Sequence, residues 1–285
     1  MTSAIGSLID LLRPDRITTV VDIGANPIDG NPPYKPMLQK RLCRLIGFEP
    51  QIKALAELNS RKSDLELYLS YAVGDGTEGR LRVCQAQGMT SLFEPDKNTL
   101  KYFPKFSEWG KVLKELPITT RRLDDIEEIS AIDFLKIDIQ GSELSVFRHG
   151  KLRLAKAVVI QTEVSFIALY KGQPVFGDID LELRKLGFVP HAFASINKRL
   201  IAPLAAKDPY AAINQLVEAD VVYVRDFTKP DEMDTEQLKH LAVIAHHCYQ
   251  SYDLAMNCIH HLAERGAIQE AVIGQYLSLT QTRKN

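Results

Sequence analysis

The sequence predicts an α/β protein: a doubly wound, mostly parallel sheet of seven strands with one antiparallel strand at its edge, followed by a helical appendage. Apolar, β-branched stretches alternate with helical ones from residue 18 onward, the mark of βα units. The last two such stretches read as a hairpin, which supplies the one reversed strand. The size agrees: 285 residues, 45% hydrophobic and 25% charged, suffice for one large soluble domain with an appendage.

Thr18 to Asp22 is the first strand, followed by a proline-rich turn and a helix around Tyr34 to Gln39. CRLIGFEP (43–50) is the second strand, QIKALAELNSRK (51–62) an amphipathic helix, and LELYLSYAVGD (65–75) the third strand. Short alternation returns in GRLRVCQ (79–85). Residues 86–116 are irregular and rich in aromatics and prolines, the profile of a substrate cap. Regular order resumes with ITTRRLDDI (118–126), then AIDFLKIDIQGSE (131–143) and a helix to about Gly150. AVVIQTEV (157–164) is the next strand, and DIDLELRKLGF (178–188) a helix that Gly187 stops in left-handed backbone. FVPHAF (188–193) and EADVVYVRDF (218–227) close the sheet.

The sheet domain spans residues 1–228 and the helical appendage 229–285. In the appendage Leu238, Leu241, Ala245, Cys248, Tyr252, Ala255, Ile259 and Leu262 alternate spacings of three and four. This heptad-like stripe starts at a cap on Asp234 or Thr235 and ends at Gly266, unless it breaks near Ser251. It suits packing on the sheet domain or a homodimer through the helix. His246-His247 and His260-His261, near Cys248 and Cys258, have the composition of a zinc set. On one unbroken helix, however, the pairs lie about 21 Å apart, too far to share an ion.

A net charge of −1 gives no global attraction for nucleic acid or an anionic membrane. No apolar run is long enough to span a bilayer. The N-terminus reads as a short amphipathic helix, not a signal peptide. Four scattered cysteines with no C-x-x-C pair suit reduced thiols in the cytoplasm.

VVDIGANPIDG (20–30) begins like a cofactor loop, but it lacks the spaced glycines of a dinucleotide fingerprint and the Gly-Lys-Ser/Thr of a phosphate loop. S-adenosylmethionine fits better. It has no phosphate to cradle and needs a close turn after the first strand, with acidic or carbonyl groups facing its ammonium. It also needs an acid at the end of the second strand for its ribose hydroxyls. Asp22-Ile23-Gly24-Ala25-Asn26 and Glu49 supply these at adjacent strand ends.

With these stretches the chain resembles the FkbM family of S-adenosylmethionine-dependent methyltransferases. The resemblance runs through VVDIGAN, GFEPQ, SYAVGDG, RRLDDI, IDFLKIDIQGSELSVFRHG, EVSFIALYKGQPVFGDIDLELRKLGF and EADVVYVR, over roughly residues 18 to 226. KIDIQGSE (136–143) is its most diagnostic part. The resemblance implies a class I methyltransferase (Rossmann-like) sheet with the cofactor across its first four strands. It puts Asp22, Gly24 and Asn26 at the methionine end, Glu49 at the ribose, Ala72 and Val73 by the adenine, and Asp138 and Gln140 beside the sulfonium and the acceptor. The NPIDGNPPYKP loop, 86–116 and the tail after Phe227 depart from the family core.

Methyl transfer to a hydroxyl needs in-line alignment and a base. Asp138 and Glu163 end neighbouring strands, and Glu143 begins the helix after Gly141; such clustered carboxylates can raise one pKa to a useful value. The rival roles are a helix cap for Glu143 and a half-buried sheet residue for His191, which is otherwise a further candidate base or acceptor contact. Two carboxylates without a third ligand do not specify a metal. Ser165 and Tyr170, after the fifth strand, are placed to reach the acceptor. Aromatics among lysines in 86–116 suit a sugar or polyol if they face the crevice, and a minor core if they pack on the sheet. The resemblance implies O-methylation of a sugar, glycolipid or secondary-metabolite hydroxyl. A protein or other small-molecule acceptor, or a non-catalytic scaffold assembling through its C-terminal helix, remain the alternatives.

Overall fold

The structure, a computed structural model, describes residues 7–26 and 30–281. Pro27, Ile28 and Asp29, in the NPIDGNPPYKP loop, lie outside the described residues.

The chain opens with α1 (Leu8–Leu12), β1 (Thr18–Ile23), α2 (Lys35–Gln39), β2 (Cys43–Phe48), α3 (Ile52–Arg61) and β3 (Glu66–Leu69). The middle holds β4 (Ala72–Gly74), β5 (Glu78–Cys84), α4 (Lys97–Leu100), α5 (Phe106–Trp109) and β6 (Val112–Arg122). Then come β7 (Phe134–Ile137), α6 (Glu143–Arg148), α7 (Lys151–Leu154), β8 (Val159–Ser165), α8 (Phe176–Lys185), β9 (Phe188–Arg199) and β10 (Gln215–Arg225). Helices α9 (Thr235–Cys248), α10 (Tyr252–Glu264) and α11 (Ala271–Gln281) close the chain.

The main sheet has seven strands in the order β3-β2-β1-β7-β8-β10-β9. Every residue of β1 is buried, as expected of a central parallel strand covered on both faces. Only β10 is reversed, antiparallel to both β8 and β9. The reversed strand, expected at the edge, lies one place in. The α8 crossover carries β9 past one vacant position, and the hairpin folds β10 back into it. Both backbone edges of β10 are thereby paired, and the strand's first residues arrive where the parallel strands end.

The stretch 65–75 is not one strand. It bends at Ser70-Tyr71, where the Tyr71 ring stacks on Phe48 and lies under the Arg121 guanidinium, 3.6 Å from ring centroid to Cζ. β3 stays at the edge of the main sheet, and β4 joins a second sheet of order β4-β6-β5. That sheet takes in GRLRVCQ as β5 and the start of ITTRRLDDI as the end of β6. Gly187 does stop α8 with φ +82°, as its sequence position requires.

Two cores flank the main sheet. On one face Leu144, Phe147, Leu154, Ile179 and Leu183 of α6, α7 and α8 pack on β1, β7 and β8. On the other, α1, α2 and the C-terminal helices pack on the opposite sides of the same strands. The break expected near Ser251 is present: α9 ends at Cys248, and Gln250 takes φ +54° before α10. Asp234 caps α9, accepting from the Gln237 N–H at 2.9 Å while the Gln237 side chain accepts from the Asp234 N–H at 3.0 Å. Leu238, Leu241, Ala245, Ala255, Cys258, Ile259 and Leu262 are all buried in the sheet's own core. Most of the stripe is therefore buried inside the chain, as in the alternative of packing on the sheet domain, while Cys248 and Tyr252 are half-buried. The histidines also have local partners: His246 Nδ1 lies 3.0 Å from the Tyr276 hydroxyl, and His260 and His261 lie 3.2 and 2.9 Å from Glu264.

Replacing fully buried Leu241 by Ala is expected to lower unfolding free energy by about 2–5 kcal/mol in urea denaturation. The apparent mass on a sizing column should not change, because the residue faces the chain's own sheet.

Candidate active site

The turn after β1 is shaped by one close approach. Gly24 takes φ +83°, and its N–H and that of Ala25 both donate to the Phe48 carbonyl at 3.0 Å. A Cβ on Gly24 would stand 2.1 Å from the Asp138 carbonyl oxygen. Only glycine permits both the dihedral and the contact, so the turns after β1 and β7 lie against each other.

Between these turns runs a cleft enclosing about 860 Å³, its open mouth included. Gly24 and Asn26 form one wall, and Glu49 stands at the end of β2. Tyr71, Ala72 and Val73 line it from the bend between β3 and β4, while Leu81 and Ile118 reach in from the second sheet. Glu49 is buried and accepts from the Gln51 N–H at 2.7 Å. Burial raises its pKa, partly offset by that hydrogen bond.

The groove continues past Gly24, Asn26 and Asp138 to Asp22, Lys136, Gln161 and Asp220. The Asp22 carboxylate accepts from the Tyr34 hydroxyl at 2.6 Å and pairs with Lys136 Nζ at 3.5 Å. Burial pushes the Asp22 pKa up, and Lys136 and Tyr34 pull against it. Burial alone would lower the Lys136 pKa, but Asp22, Asp138 and Asp220 together raise it, so this ammonium stays charged.

At the end of β7 the backbone doubles back through Gln140, whose φ is +56°. The Gln140 amide donates to Asp138 at 3.0 Å and to Glu163 at 2.7 Å, and its oxygen accepts from the Tyr170 hydroxyl at 3.2 Å. Ser91, from the cap, donates to the Gln140 carbonyl at 2.6 Å. Asp138, Glu143 and Glu163 each present an oxygen within 4.8 Å of the others. They are not equivalent. Glu143 accepts from the N–H groups of Ile139 at 2.9 Å and Gly141 at 3.0 Å, and so clamps the loop. Its burial pushes the pKa up to about 7.

Glu163 is half-buried, and its pKa is raised well above its ordinary value by desolvation, then by Asp138 and Glu218. β10 sets Asp220 opposite Glu163 and Glu218 opposite Ser165. Glu218 is itself pushed up to about 7, by desolvation and by Asp138, with Arg199 opposing. Three converging carboxylates are the oxygen-rich set a divalent cation takes. Here, however, backbone N–H groups occupy Glu143, and one amide bridges the other two.

The structure thus gathers Asp22, Gly24, Asn26, Glu49, Ala72, Val73, Asp138, Gln140, Glu143 and Glu163 around one groove. Tyr170 reaches it through Gln140, and Ser165 is held by the Gln173 amide at 2.8 Å. His191 is the exception. It lies near the start of β9, away from the carboxylate end, and its Nε2 is 2.7 Å from Ser251 Oγ at the α9–α10 junction. Desolvation there lowers its pKa. It is a packing residue of the sheet–helix contact and not an acceptor contact. Lys136, Tyr71, Arg199, Glu218 and Asp220 also stand at or near the site, without a predicted role from the sequence. A lysine inside the apolar FLKI strand and the acids of EAD opening the last strand were the available signals.

This seven-stranded order with one reversed strand is the class I methyltransferase sheet, and the groove at its strand ends suits S-adenosylmethionine. Asp22, Asn26, Lys136 and Asp138 complement a zwitterionic amino-acid end, Glu49 a diol, and Tyr71, Ala72, Val73, Leu81 and Ile118 a flat base. Residues 22–190 match the Methyltransferase FkbM domain, and the chain belongs to that family of S-adenosylmethionine-dependent methyltransferases. The 2-O-methyltransferase NoeI of Sinorhizobium fredii is 32% identical over 184 residues, covering 61% of this chain and 74% of that one. Among solved structures, a putative S-adenosylmethionine-dependent methyltransferase from Listeria monocytogenes superposes with TM-score 0.41 at 10% identity, covering 76% of this chain and 94% of its own. Magnesium protoporphyrin IX methyltransferase from Synechocystis PCC 6803, with bound SAM, gives 0.39 at 9% identity, covering 73% and 70%.

Gly24→Ala is expected to weaken S-adenosylmethionine binding at least about a hundredfold in calorimetry, because both φ and the Asp138 contact forbid a Cβ. The raised carboxylates also set a pH dependence. Their native pKa values lie above the unfolded ones, so their contribution to stability is full below about pH 4.3 and is lost as pH rises through about 7. Urea denaturation of Glu218→Gln should therefore gain more stability over wild type at pH 8 than at pH 5.

Proposed function

We propose that this methyltransferase is an O-methyltransferase acting on a hydroxyl of a sugar unit in a glycan, glycolipid or secondary metabolite. The observation that carries the reading is Glu163, a half-buried carboxylate held by the Gln140 amide beside Asp138, which lines the donor groove. Its pKa is raised by burial and by neighbouring acids, the direction a general base needs. The 2-O-methyltransferase activity that NoeI is named for supports oxygen as the acceptor atom.

Bound in the groove, S-adenosylmethionine supplies an electrophilic methyl group on a sulfonium for in-line displacement. The protein's task is to hold the acceptor hydroxyl in line and to take its proton. Glu163 accepts that proton. Gln140 aims both Asp138 and Glu163 with one amide, and Tyr170 fixes that amide in turn. Glu143 keeps the 139–141 loop in the shape that presents Gln140. The cap, tied down through Ser91, closes the groove against water. No described helix is long and apolar enough to cross a membrane. The four unpaired cysteines support a reducing compartment, the cytoplasm.

Incubating the enzyme with methyl-labelled S-adenosylmethionine and a fractionated extract of its source cells tests the acceptor class. Label is expected in the glycan or glycolipid pool, and label confined to protein would overturn the reading. Glu163→Gln should lower kcat by about 10²–10⁴-fold with S-adenosylmethionine affinity unchanged. Glu218→Gln removes a like charge that raises the Glu163 pKa, so the acid limb of the kcat/KM profile should move to lower pH.

A further inference from the structure

The cap divides its aromatic residues in two. Met89, Leu100, Phe103 and Phe106 are buried in a small core with Leu169, Tyr170 and Val217. Trp109, at the end of α5, is only half-buried, and its ring continues outward into the connection between β9 and β10. It stands 5.5 Å from Phe106 on one side and 5.5 Å from Tyr210 on the other, both tilted. Tyr210 is 63% exposed, unusual for a ring held in an ordered stack. The connection is pinned to the cap where the Ala202 N–H donates to the Tyr102 carbonyl at 2.8 Å.

Arg199, the last residue of β9, braces this ladder. Its Cζ lies 5.3 Å from the Tyr210 ring and 5.7 Å from that of Phe106. Its Nη1 donates to the Lys198 carbonyl at 2.7 Å, but its Nε is buried without a hydrogen-bond partner. An unpaired buried donor is destabilising, so packing alone does not explain an arginine here. In the sheet, Glu218 lies opposite Asn197, two residues before Arg199, on one side and opposite Ser165, two residues after Glu163, on the other. The strand register therefore sets Arg199 and the proposed base to either side of Glu218, while the ladder ends in solvent at Tyr210.

We propose that Trp109, Tyr210 and Arg199, with Glu218 at the inner end, form a saccharide subsite that holds a pyranose ring of the acceptor next to the reaction centre. This rests on the sugar-acceptor reading. A pyranose has an apolar C–H face, which an exposed aromatic ring covers, and a rim of vicinal hydroxyls. A guanidinium, with donors only, and a carboxylate, with acceptors only, pair with those hydroxyls from opposite senses. A purely apolar occupant would leave the Arg199 and Glu218 groups unmatched.

Trp109 is the chain's single tryptophan, so its emission reports on this platform alone. The enzyme, loaded with S-adenosylhomocysteine, is titrated with the methyl pyranosides of glucose, galactose, mannose, rhamnose and N-acetylglucosamine. At least one is expected to quench or shift the emission saturably in the millimolar range. Tyr210→Ala, an exposed-loop change that keeps the reporter, should weaken that titration about tenfold. It should raise KM for the same sugar about tenfold, with kcat changed less than about twofold and S-adenosylmethionine affinity unaltered. Trp109→Ala should reproduce the KM effect. Silence of Trp109 toward every pyranoside, or an unchanged titration and KM in Tyr210→Ala, overturns the subsite. If labelled methyl enters glycans while Trp109 stays silent, the subsite falls and the sugar reading stands. Label confined to protein removes both.

Discussion

Lys136 placed among Asp22, Asp138 and Asp220 is the interaction on which the donor end of the groove depends. Removing an ammonium from water costs several kcal/mol, and only close opposite charges with good geometry offset it. The three acids come from β1, the residue after β7, and β10, so satisfying one cation ties three strands to one another. Tyr34 completes the arrangement by donating to Asp22. The close contact of Gly24 with the Asp138 carbonyl then follows, because β1 and β7 are already in register from Val20–Phe134 to Ile23–Ile137.

On the acceptor side the balance tilts the other way. Glu143, Glu163 and Glu218 are enclosed with too little positive charge, and their pKa values rise as a result. Above neutrality these groups oppose folding, since the unfolded chain would hold them ionised in water. A sheet end optimised for stability alone would carry amides there. The same imbalance gives Glu163 the basicity that proton removal requires, so stability and chemistry draw on one set of carboxylates in opposite directions.

The parallel core was legible because buried strands read as continuous apolar runs, and Asp22 and Glu49 stood out as acids that end such runs. The second sheet was not, because the bend at Tyr71 depends on a stack with Phe48 and Arg121, residues distant in sequence. Glu143 and Glu163 look alike as acids near strand ends; only the Ile139 and Gly141 N–H groups show that one clamps a loop. Glu218 and Asp220 escaped notice for a topological reason. They lie in the first half of the reversed strand, so that half, and not its end, reaches the carboxylate end of the sheet. His191 was misplaced for the same reason in mirror image: it stands near the start of β9, and the end of that strand, at Arg199, is the part that lies at the carboxylate end of the sheet.

The family match ends at residue 190, within the site. The donor-groove residues from Asp22 through Gln140, and Glu163 with them, lie inside the match. Arg199, Tyr210, Glu218 and Asp220 lie after it. So does Tyr249, whose hydroxyl donates to Gln161 at 2.9 Å and so links the C-terminal helices to the wall of the groove. The family model therefore spans the residues of the proposed donor groove and the proposed base, while part of the proposed acceptor subsite, Arg199, Tyr210 and Glu218, lies outside it and Trp109 inside it. The C-terminal helices belong to that construction. By burying one face of β1, β7 and β10, they hold the strand that carries Glu218 and Asp220 at the height of Glu163.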